Sequence, residues 1–262
     1  MSKNVVIIGS GNVAEALASA LVKSNEWCVQ IFGRNRARVD ELALKLGVDA
    51  TTEKERVIEA ELYLLALSDS AICEVCQSLK TPQHSVIAHT AGSVSIDEIP
   101  SRFTHRGVLY PFQTFTAGRE VDFHSVPIVV EGSDRYTEHI LLDVANFISG
   151  DVRIADSDSR RALHLAGVFA CNFTNAMYAV AESLLKDSGF EFDSLKPLIL
   201  ETALKAIESQ TPTLVQTGPA LRGDLAVENK HLKMLDKHPE LQQIYKLISQ
   251  HIWETSKRIS QK

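Results

Sequence analysis

The stretch VVIIGSGNVAEALASAL at residues 5–21 constrains the fold of this chain more than any other feature of the sequence. Its pattern predicts a buried strand, a glycine turn and a helix that follows at once. In such a turn the first glycine allows a tight bend, the second lets a pyrophosphate approach the backbone, and a small third residue permits close helix–strand packing. The amides and dipole at the helix start favour an anion. We therefore predict a dinucleotide-binding turn, whose alternative is a strand–helix turn without a ligand. The predicted contacts are Gly9, Ser10, Gly11, Asn12, Val13 and Ala14.

Strand-like apolar runs alternate with helix-like stretches over residues 1–156. Strands buried on both faces have continuous apolar sequences, which is typical of parallel sheets covered by helices. From residue 157 the pattern is helical, beginning with a long helix that extends to about residue 186. We therefore predict an α/β protein in which a doubly wound parallel Rossmann sheet at 1–156 is followed by an all-helical domain at 157–262. The predicted strands lie at 4–8, 28–33, 61–67, 85–89, 107–111 and 127–132.

The end of the second predicted strand favours NADP as the cofactor, with NAD less favoured. An NAD-binding protein usually places an acidic residue there, on the ribose hydroxyls. This chain has the basic segment FGRNRAR at 32–38 instead. Guanidinium groups can form forked, charge-assisted hydrogen bonds with a 2′-phosphate. We predict contacts from Arg34, Asn35 and Arg36, whose alternative is a solvated helix start.

Two further loops follow the predicted strands at 61–67 and 85–89. Ligands of open α/β sheets lie beyond the carboxyl ends of the strands, so both loops should face the cofactor. Their small and hydroxylated residues suit a nicotinamide ribose, but Ser68 and Asp69 can also serve as caps of the next helix. The candidate contacts are Leu67, Ser68, His89, Thr90 and Gly92.

The long predicted helix carries polar residues on an otherwise apolar stretch. At α-helical spacing, His164, Val168, Asn172 and Asn175 lie along one face. A histidine there is either a proton donor near neutral pH or a core histidine with satisfied hydrogen bonds.

The segment TGPALRGD at 217–224 interrupts the predicted helices of the second half. Gly-Pro stops the preceding helix, and Asp224 is a suitable cap for the next one. Arg222 is suited to clamp a carboxylate or phosphate. The alternative is a simple helix–helix connection in which Arg222 pairs with Asp224.

Several motifs together resemble a family of two-domain Rossmann-like proteins whose C-terminal half is catalogued only as a domain of unknown function. They are HTAG at 89–92, YPFQTF at 110–115, EG at 131–132, residues 164–172 and residues 217–224. Members commonly have Ser-Gly and His-Pro where this chain has Ala91-Gly92 and Tyr110-Pro111. The arrangement is similar to pyrroline-5-carboxylate reductases, 6-phosphogluconate-type dehydrogenases and deazaflavin-dependent NADP reductases. The resemblance implies an NADP-linked oxidoreductase that is dimeric through its helical domain, with the active site between the domains.

The leading hypothesis is therefore an oxidoreductase that passes hydride between NADP and a small, anionic substrate. His164 and Asn172 are the candidate catalytic residues. The candidate substrate contacts are Asn175, Gln113, Arg222 and Asp224. The alternative is a module that binds NADP and signals its state without turnover. No lysine lies one turn before Asn172 or Asn175, which weakens assignment as a 3-hydroxyacid dehydrogenase.

Composition limits the possible partners and the compartment. The net charge of −6 and the absence of a long basic block argue against nucleic-acid binding. No apolar run reaches the roughly 18 residues that a membrane helix needs. The lack of signal-peptide features and the four cysteines predict a cytoplasmic protein. The nine histidines show no spacing typical of a metal site. The apolar surface of the long helix predicts a homodimer.

Overall fold

The computed structural model describes residues 3–24, 26–186 and 188–260. The chain forms two compact units, Met1–Ala176 and Met177–Lys262. The boundary predicted after residue 156 lies within the first of them, at the point where strands give way to helices. The compact first unit extends further because the first helix after that point packs on the sheet, with Leu163 against the cluster around Val108.

The first unit contains one eight-stranded sheet in the order β3-β2-β1-β4-β5-β6-β7-β8. The strands are β1 (Lys3–Ile8), β2 (Trp27–Phe32), β3 (Asp49–Thr51), β4 (Leu62–Leu65), β5 (Val86–His89), β6 (His105–Pro111), β7 (Ile128–Gly132) and β8 (Val152–Ile154). The predicted α/β class and doubly wound Rossmann sheet followed by a helical region are confirmed. The short edge strands β3 and β8 were not predicted.

Two strands, β7 and β8, depart from the predicted all-parallel arrangement. Strand β7 pairs antiparallel with β6, whereas the other neighbouring strands are parallel. The connection 112–127 contains only loops and the short 3-10 turn Phe123–Ser125. Because this connection has no crossover helix, the chain re-enters the sheet at the same end of the strands where it left. Strand β7 therefore runs in the direction opposite to β6.

Helices cover both faces of the sheet. They are α1 (Asn12–Ser24), α2 (Arg36–Leu46), α3 (Ala71–Ser78), α4 (Arg135–Ile148) and α5 (Ser157–Gly167). Alternate side chains of a strand point to opposite faces. Accordingly Val5 and Ile7 pack in the cluster that contains α1 and α4, and Val6 and Ile8 pack in the cluster that contains α3. Both faces are therefore buried, which explains the continuous apolar sequence of β1.

The long helix predicted after residue 157 is not a continuous α-helix. After α5, a π-helical segment spans Val168–Phe173 and leads into α6 (Thr174–Leu184). A π turn closes hydrogen bonds over five residues, so it rotates the following side chains relative to α-helical spacing. The prediction that four residues from His164 to Asn175 share one α-helical face is therefore wrong.

The second unit is helical. It comprises the rest of α6, together with α7 (Lys196–Glu208), α8 (Pro219–Arg222), α9 (Leu225–Met234) and α10 (Pro239–Ser260). Further 3-10 turns in the chain lie at Lys54–Arg56, Ile96–Glu98, Phe192–Leu195 and Pro212–Val215. Among the described residues, no helix combines the length and apolarity that crossing a membrane requires.

Candidate functional site

The glycine turn between β1 and α1 has the geometry that a pyrophosphate requires. Gly9 has a φ of +135°, and a Cβ atom on it would lie 2.2 Å from the Ala66 carbonyl oxygen. Gly11, in contrast, faces open space. Ala14 is fully buried beneath the helix start. The first amides of a helix have no intrahelical partner, so those at the start of α1 are available to an anion beside Gly11.

The basic segment after β2 contains both exposed arginines and side chains that bond within the protein. Arg34 is exposed and makes no ion pair or hydrogen bond with any residue that the structure describes. Arg36 is also exposed and pairs with Asp40, with 2.8 Å between Nε and Oδ2. The Asn35 side chain caps α2 by accepting a hydrogen bond from the Arg38 amide at 3.2 Å. Arg34 and Arg36 are thus accessible cations, and Asn35 holds the helix start between them.

Arg38, which lies in the first turn of α2, is held within the protein. Its Nη2 donates to Glu15 of α1, its Nη1 lies 2.7 Å from Glu41, and its Nε donates to the Ser10 carbonyl oxygen at 3.3 Å. A hydrogen bond from Lys45 is the largest cause of the lowered pKa of Glu15, and the charge of Arg38 adds to it. Arg38 therefore links α2 to the glycine turn.

The loops after β4 and β5 are tied to each other. Ser93 donates from its hydroxyl to the Asp69 carboxylate. Ser68 is exposed, and its carbonyl oxygen accepts the Ala71 amide at 2.9 Å. The N-cap residue of α3 is Ser70, so the alternative that Ser68 and Asp69 cap this helix is wrong.

His89 and Thr90 act within the loop that they begin. His89 is fully buried, and its Nε2 and Nδ1 contact the Ser95 carbonyl oxygen and the Ala91 amide at 3.2 Å each. Burial lowers the pKa of His89 to about 4, so the ring is neutral near pH 7. Thr90 lies buried beside the Leu65 carbonyl oxygen. Leu67 is half-buried in the neighbouring apolar cluster. The cofactor contacts proposed for these residues stay predictions.

His164 and Tyr110 meet over Gly92, at the end of β5. The Tyr110 hydroxyl lies 3.0 Å from His164 Nδ1. A Cβ atom on Gly92 would lie 2.5 Å from this nitrogen and 2.6 Å from Tyr110 Cζ. Only glycine leaves room for the pair. His164, predicted from its place on the long helix, thus lies at the carboxyl edge of the sheet, where ligands of this fold bind.

A buried arginine that sequence analysis missed supports this edge. Arg160 is fully buried, and its Nη1 donates to the carbonyl oxygens of Ala91 and Gly92 at 2.9 and 3.0 Å. Its Nη2 donates to Glu131 and to the Ser157 hydroxyl at 2.9 and 3.0 Å. The guanidinium thereby joins α5, β7 and the loop after β5.

The remaining predicted residues of the first unit are exposed. Gln113 accepts a hydrogen bond from the amide of its neighbour Thr114 at 2.8 Å. Asn172 lies in the π-helical segment and Asn175 in the first turn of α6, and both are exposed. The Phe112 ring packs on Gly167, where a Cβ atom would lie 2.7 Å from Cε2. No hydrogen bond joins Gln113, Asn172 or Asn175 to His164 in the described part of the chain.

The predicted residues of the second unit lie around the turn after α8. Gly218 and Gly223 have φ values of +112° and +65°. Asp224 caps α9, as predicted, by accepting the Val227 amide at 3.2 Å. Arg222 is exposed and forms no ion pair with Asp224 or another described residue. The alternative of an Arg222–Asp224 pair is therefore wrong.

The residues that the structure describes contain no group of three or more histidine, cysteine, aspartate or glutamate side chains that could hold a metal ion.

Comparisons with known proteins agree with this architecture. Residues 4–92 match the family described as NADP oxidoreductase coenzyme F420-dependent, and residues 126–252 match the domain of unknown function DUF2520. No curated protein sequence matches the chain. The resemblance predicted from the sequence motifs is thus confirmed.

Solved structures extend the similarity over nearly the whole chain. A "putative NADP oxidoreductase" from Bacteroides fragilis is 41% identical, with 97% of this chain and 98% of that chain covered and a TM-score of 0.89. A protein from Thermotoga maritima is 22% identical, with 98% and 99% covered and a TM-score of 0.75. A pyrroline-5-carboxylate reductase from Coxiella burnetii is 14% identical, with 98% of each chain covered and a TM-score of 0.57. The last two show a shared fold.

Proposed function

Because the chain belongs to the family in which an NADP oxidoreductase domain precedes the DUF2520 domain, we propose that it passes hydride between NADP and a small, anionic substrate. The observation that carries the proposal is the His164–Tyr110 pair at the carboxyl end of β5. Such a pair supplies the proton that must accompany a hydride when a polar double bond is reduced. A module that only bound the nucleotide would not need it.

We propose that different residues of the chain bind different parts of the cofactor. The glycine turn fits a pyrophosphate, since position 9 has no room for a side chain and the backbone at Gly11 faces open space. Arg34 and Arg36 are the accessible cations for a 2′-phosphate, and Arg38 holds the turn in place. When bound, NADP supplies the hydride. We infer a preference for NADP over NAD from these arginines.

His164 Nε2 is the atom that we assign to proton transfer. Its Nδ1 is engaged by Tyr110, and its Nε2 has no hydrogen-bond partner among the described residues. Protonated His164 donates from Nε2 to the oxygen or nitrogen that gains negative charge as the neighbouring carbon is reduced. Asn172 and Asn175 are proposed to orient the substrate, with Gln113 as a further contact. Arg222 is proposed to bind its anionic group, since its guanidinium is exposed and forms no ion pair with any residue that the structure describes.

We also propose a homodimer built on the second unit. This unit exposes large apolar side chains, including Leu198, Leu200 and Ile207. It also has an apolar groove of about 280 Å³ that Met177 and Ile244 help to line. Monomeric proteins rarely leave such extended apolar surface in water. Light scattering at micromolar concentration should give twice the chain mass of 28.9 kDa, and a monomer would refute the proposal.

The activity is tested by separating binding from turnover. Fluorescence titration should show tighter binding of NADPH than of NADH, and NADPH should be consumed with at least one of a panel of small oxo and imino acids. His164→Gln should lower kcat about 100-fold while the NADPH Kd stays the same. Tight binding without turnover of any compound would favour the sensor. Failure to bind either nucleotide would refute both functions.

A further inference from the structure

The contact between Tyr110 and His164 bears on which nitrogen of the His164 ring exchanges protons. Tyr110 lies on β6 and is only 9% exposed, and His164 lies on α5, 54 residues away. The two rings meet edge to face, with centroids 6.0 Å apart and planes at 65°. The Nδ1 edge of His164 therefore lies against Gly92 and the Tyr110 hydroxyl. No other hydrogen bond is made by the hydroxyl within the described residues.

A neutral imidazole has one nitrogen that donates and one that accepts. If Nδ1 carried the hydrogen, it would donate to the Tyr110 oxygen and leave the little-exposed hydroxyl hydrogen without an acceptor. If Nδ1 is unprotonated, the hydroxyl donates to it and both groups are satisfied. Buried polar groups are nearly always paired, so the second arrangement is favoured.

The surroundings keep Tyr110 in its hydroxyl form. Burial raises the pKa of Tyr110, and the nearby guanidinium of Arg160 only partly opposes this. The charge of Glu131 is balanced by Arg160, and His89 at the end of β5 is neutral because it is buried. A tyrosine that remains protonated can donate to neutral His164 and accept from Nδ1 of the imidazolium.

We propose that Tyr110 is a positioning residue that engages Nδ1 of His164 in both protonation states, so that Nε2 alone exchanges protons with a substrate. The proposal rests on the proposed function. In the reduction step the Nε2–H bond of the imidazolium breaks and a bond from that hydrogen to the substrate heteroatom forms. The ring is left as the neutral Nδ1–H tautomer, which donates to the tyrosine oxygen. Solvent then protonates Nε2 to give the imidazolium again, and loss of the proton on Nδ1 returns the ring to the resting tautomer with Nε2–H.

The resting state can be observed without a substrate. In the full-length protein with ¹⁵N-labelled histidine rings, the His164 signals are identified by their loss in His164→Gln. At a pH where the ring is neutral, Nε2 should be protonated and Nδ1 should be unprotonated and hydrogen-bonded. Tyr110→Phe should shift the Nδ1 signal and introduce a measurable fraction of the Nδ1–H tautomer. Wild-type His164 that is mainly the Nδ1–H tautomer would overturn the proposal, even if the variant failed to fold.

Tyr136→Phe is the matched control. Its ring lies 4.7 Å from that of His105, and its hydroxyl has no hydrogen-bond partner in the described residues. It should leave the His164 signals unchanged. Tyr110→Phe should keep the wild-type NADPH Kd, and unchanged His164 signals in this variant would refute the positioning role. Failure of the wild-type protein to bind NADPH would instead count against the proposed function and leave the tautomer result standing.

Discussion

Replacing Arg160 with methionine should destabilise the first unit far more than the same change at its neighbour Arg161. Arg160 is fully buried, and its guanidinium pairs with Glu131 at 2.9 Å and donates to two backbone carbonyl oxygens. Methionine has a similar length but no donor. Arg160→Met would leave the Glu131 carboxylate, whose side chain is 14% exposed, without its cation. The two carbonyl oxygens would also lose their donor.

The magnitude follows from this burial. Removing one partner of a buried ion pair costs about 3–5 kcal/mol. For a unit of this size, each kcal/mol lowers Tm by about 2–4 °C, which predicts a loss of about 10 °C. Arg161 pairs with Asp158 in the same helix, where the two side chains are 45% and 87% exposed. Such a pair contributes at most about 1 kcal/mol. Arg161→Met should therefore lower Tm by no more than about 4 °C.

Urea unfolding, followed by circular dichroism, measures the free energy of unfolding of both variants. A double-mutant cycle with Glu131→Gln sharpens the test, because the two changes remove the same interaction. The combined loss should be smaller than the sum of the single losses by about 1 kcal/mol or more. If Arg160→Met were no more destabilising than Arg161→Met, or if the two losses were additive, the buried pair would not stabilise this edge of the sheet.

Three further predictions concern the cofactor, the pH dependence and the loop after β5. Arg34→Ala should raise the NADPH Kd about 10- to 100-fold and leave the NADH Kd unchanged, since a charge-assisted bond contributes about 1.5–3 kcal/mol. Arg38→Met should weaken both cofactors alike in the same titration, and an equal effect of Arg34→Ala on both would refute the assignment. Burial lowers the pKa of His89 to about 4 in the folded protein. As the pH falls, the unfolded chain therefore takes up a proton at His89 at a higher pH than the folded protein does. The free energy of unfolding should therefore drop by about 3 kcal/mol between pH 6.5 and 4, and His89→Gln but not the exposed His84→Gln should remove this dependence. Gly92→Ala should separate the Tyr110–His164 pair and change the ring ¹⁵N signals of His164, and unchanged signals would contradict the contact geometry.

The features predicted well from the sequence are those whose cause is local. The glycine turn is recognisable because a positive φ and a close approach to Ala66 require glycine at position 9. The continuous apolar run of β1 follows from burial on both faces of the sheet. In each case neighbouring residues contain the information.

The features that were missed depend on distant contacts or on short elements. Strands β3 and β8 have three residues each, too few for a period to appear. The reversed direction of β7 depends on the path of the connection 112–127, whose sequence does not indicate the direction of the strand that follows. The charge pattern alone could not show that Asn35 caps α2 or that Arg38 pairs with Glu15, because the same residues could equally have bound the cofactor.

Arg160 shows most clearly where sequence reasoning stopped. It is adjacent to Arg161 and identical in type, so composition and charge pattern cannot tell which of the two is buried. Helical spacing does not distinguish them either, because Arg160 and Arg161 lie four and three residues before His164, and both spacings place residues on the same helix face. A buried arginine needs a carboxylate partner, and Glu131 belongs to one of the motifs that carried the family resemblance. In the structure Arg160 is the arginine that pairs with Glu131, and it also holds the loop after β5, where Gly92 lies against His164.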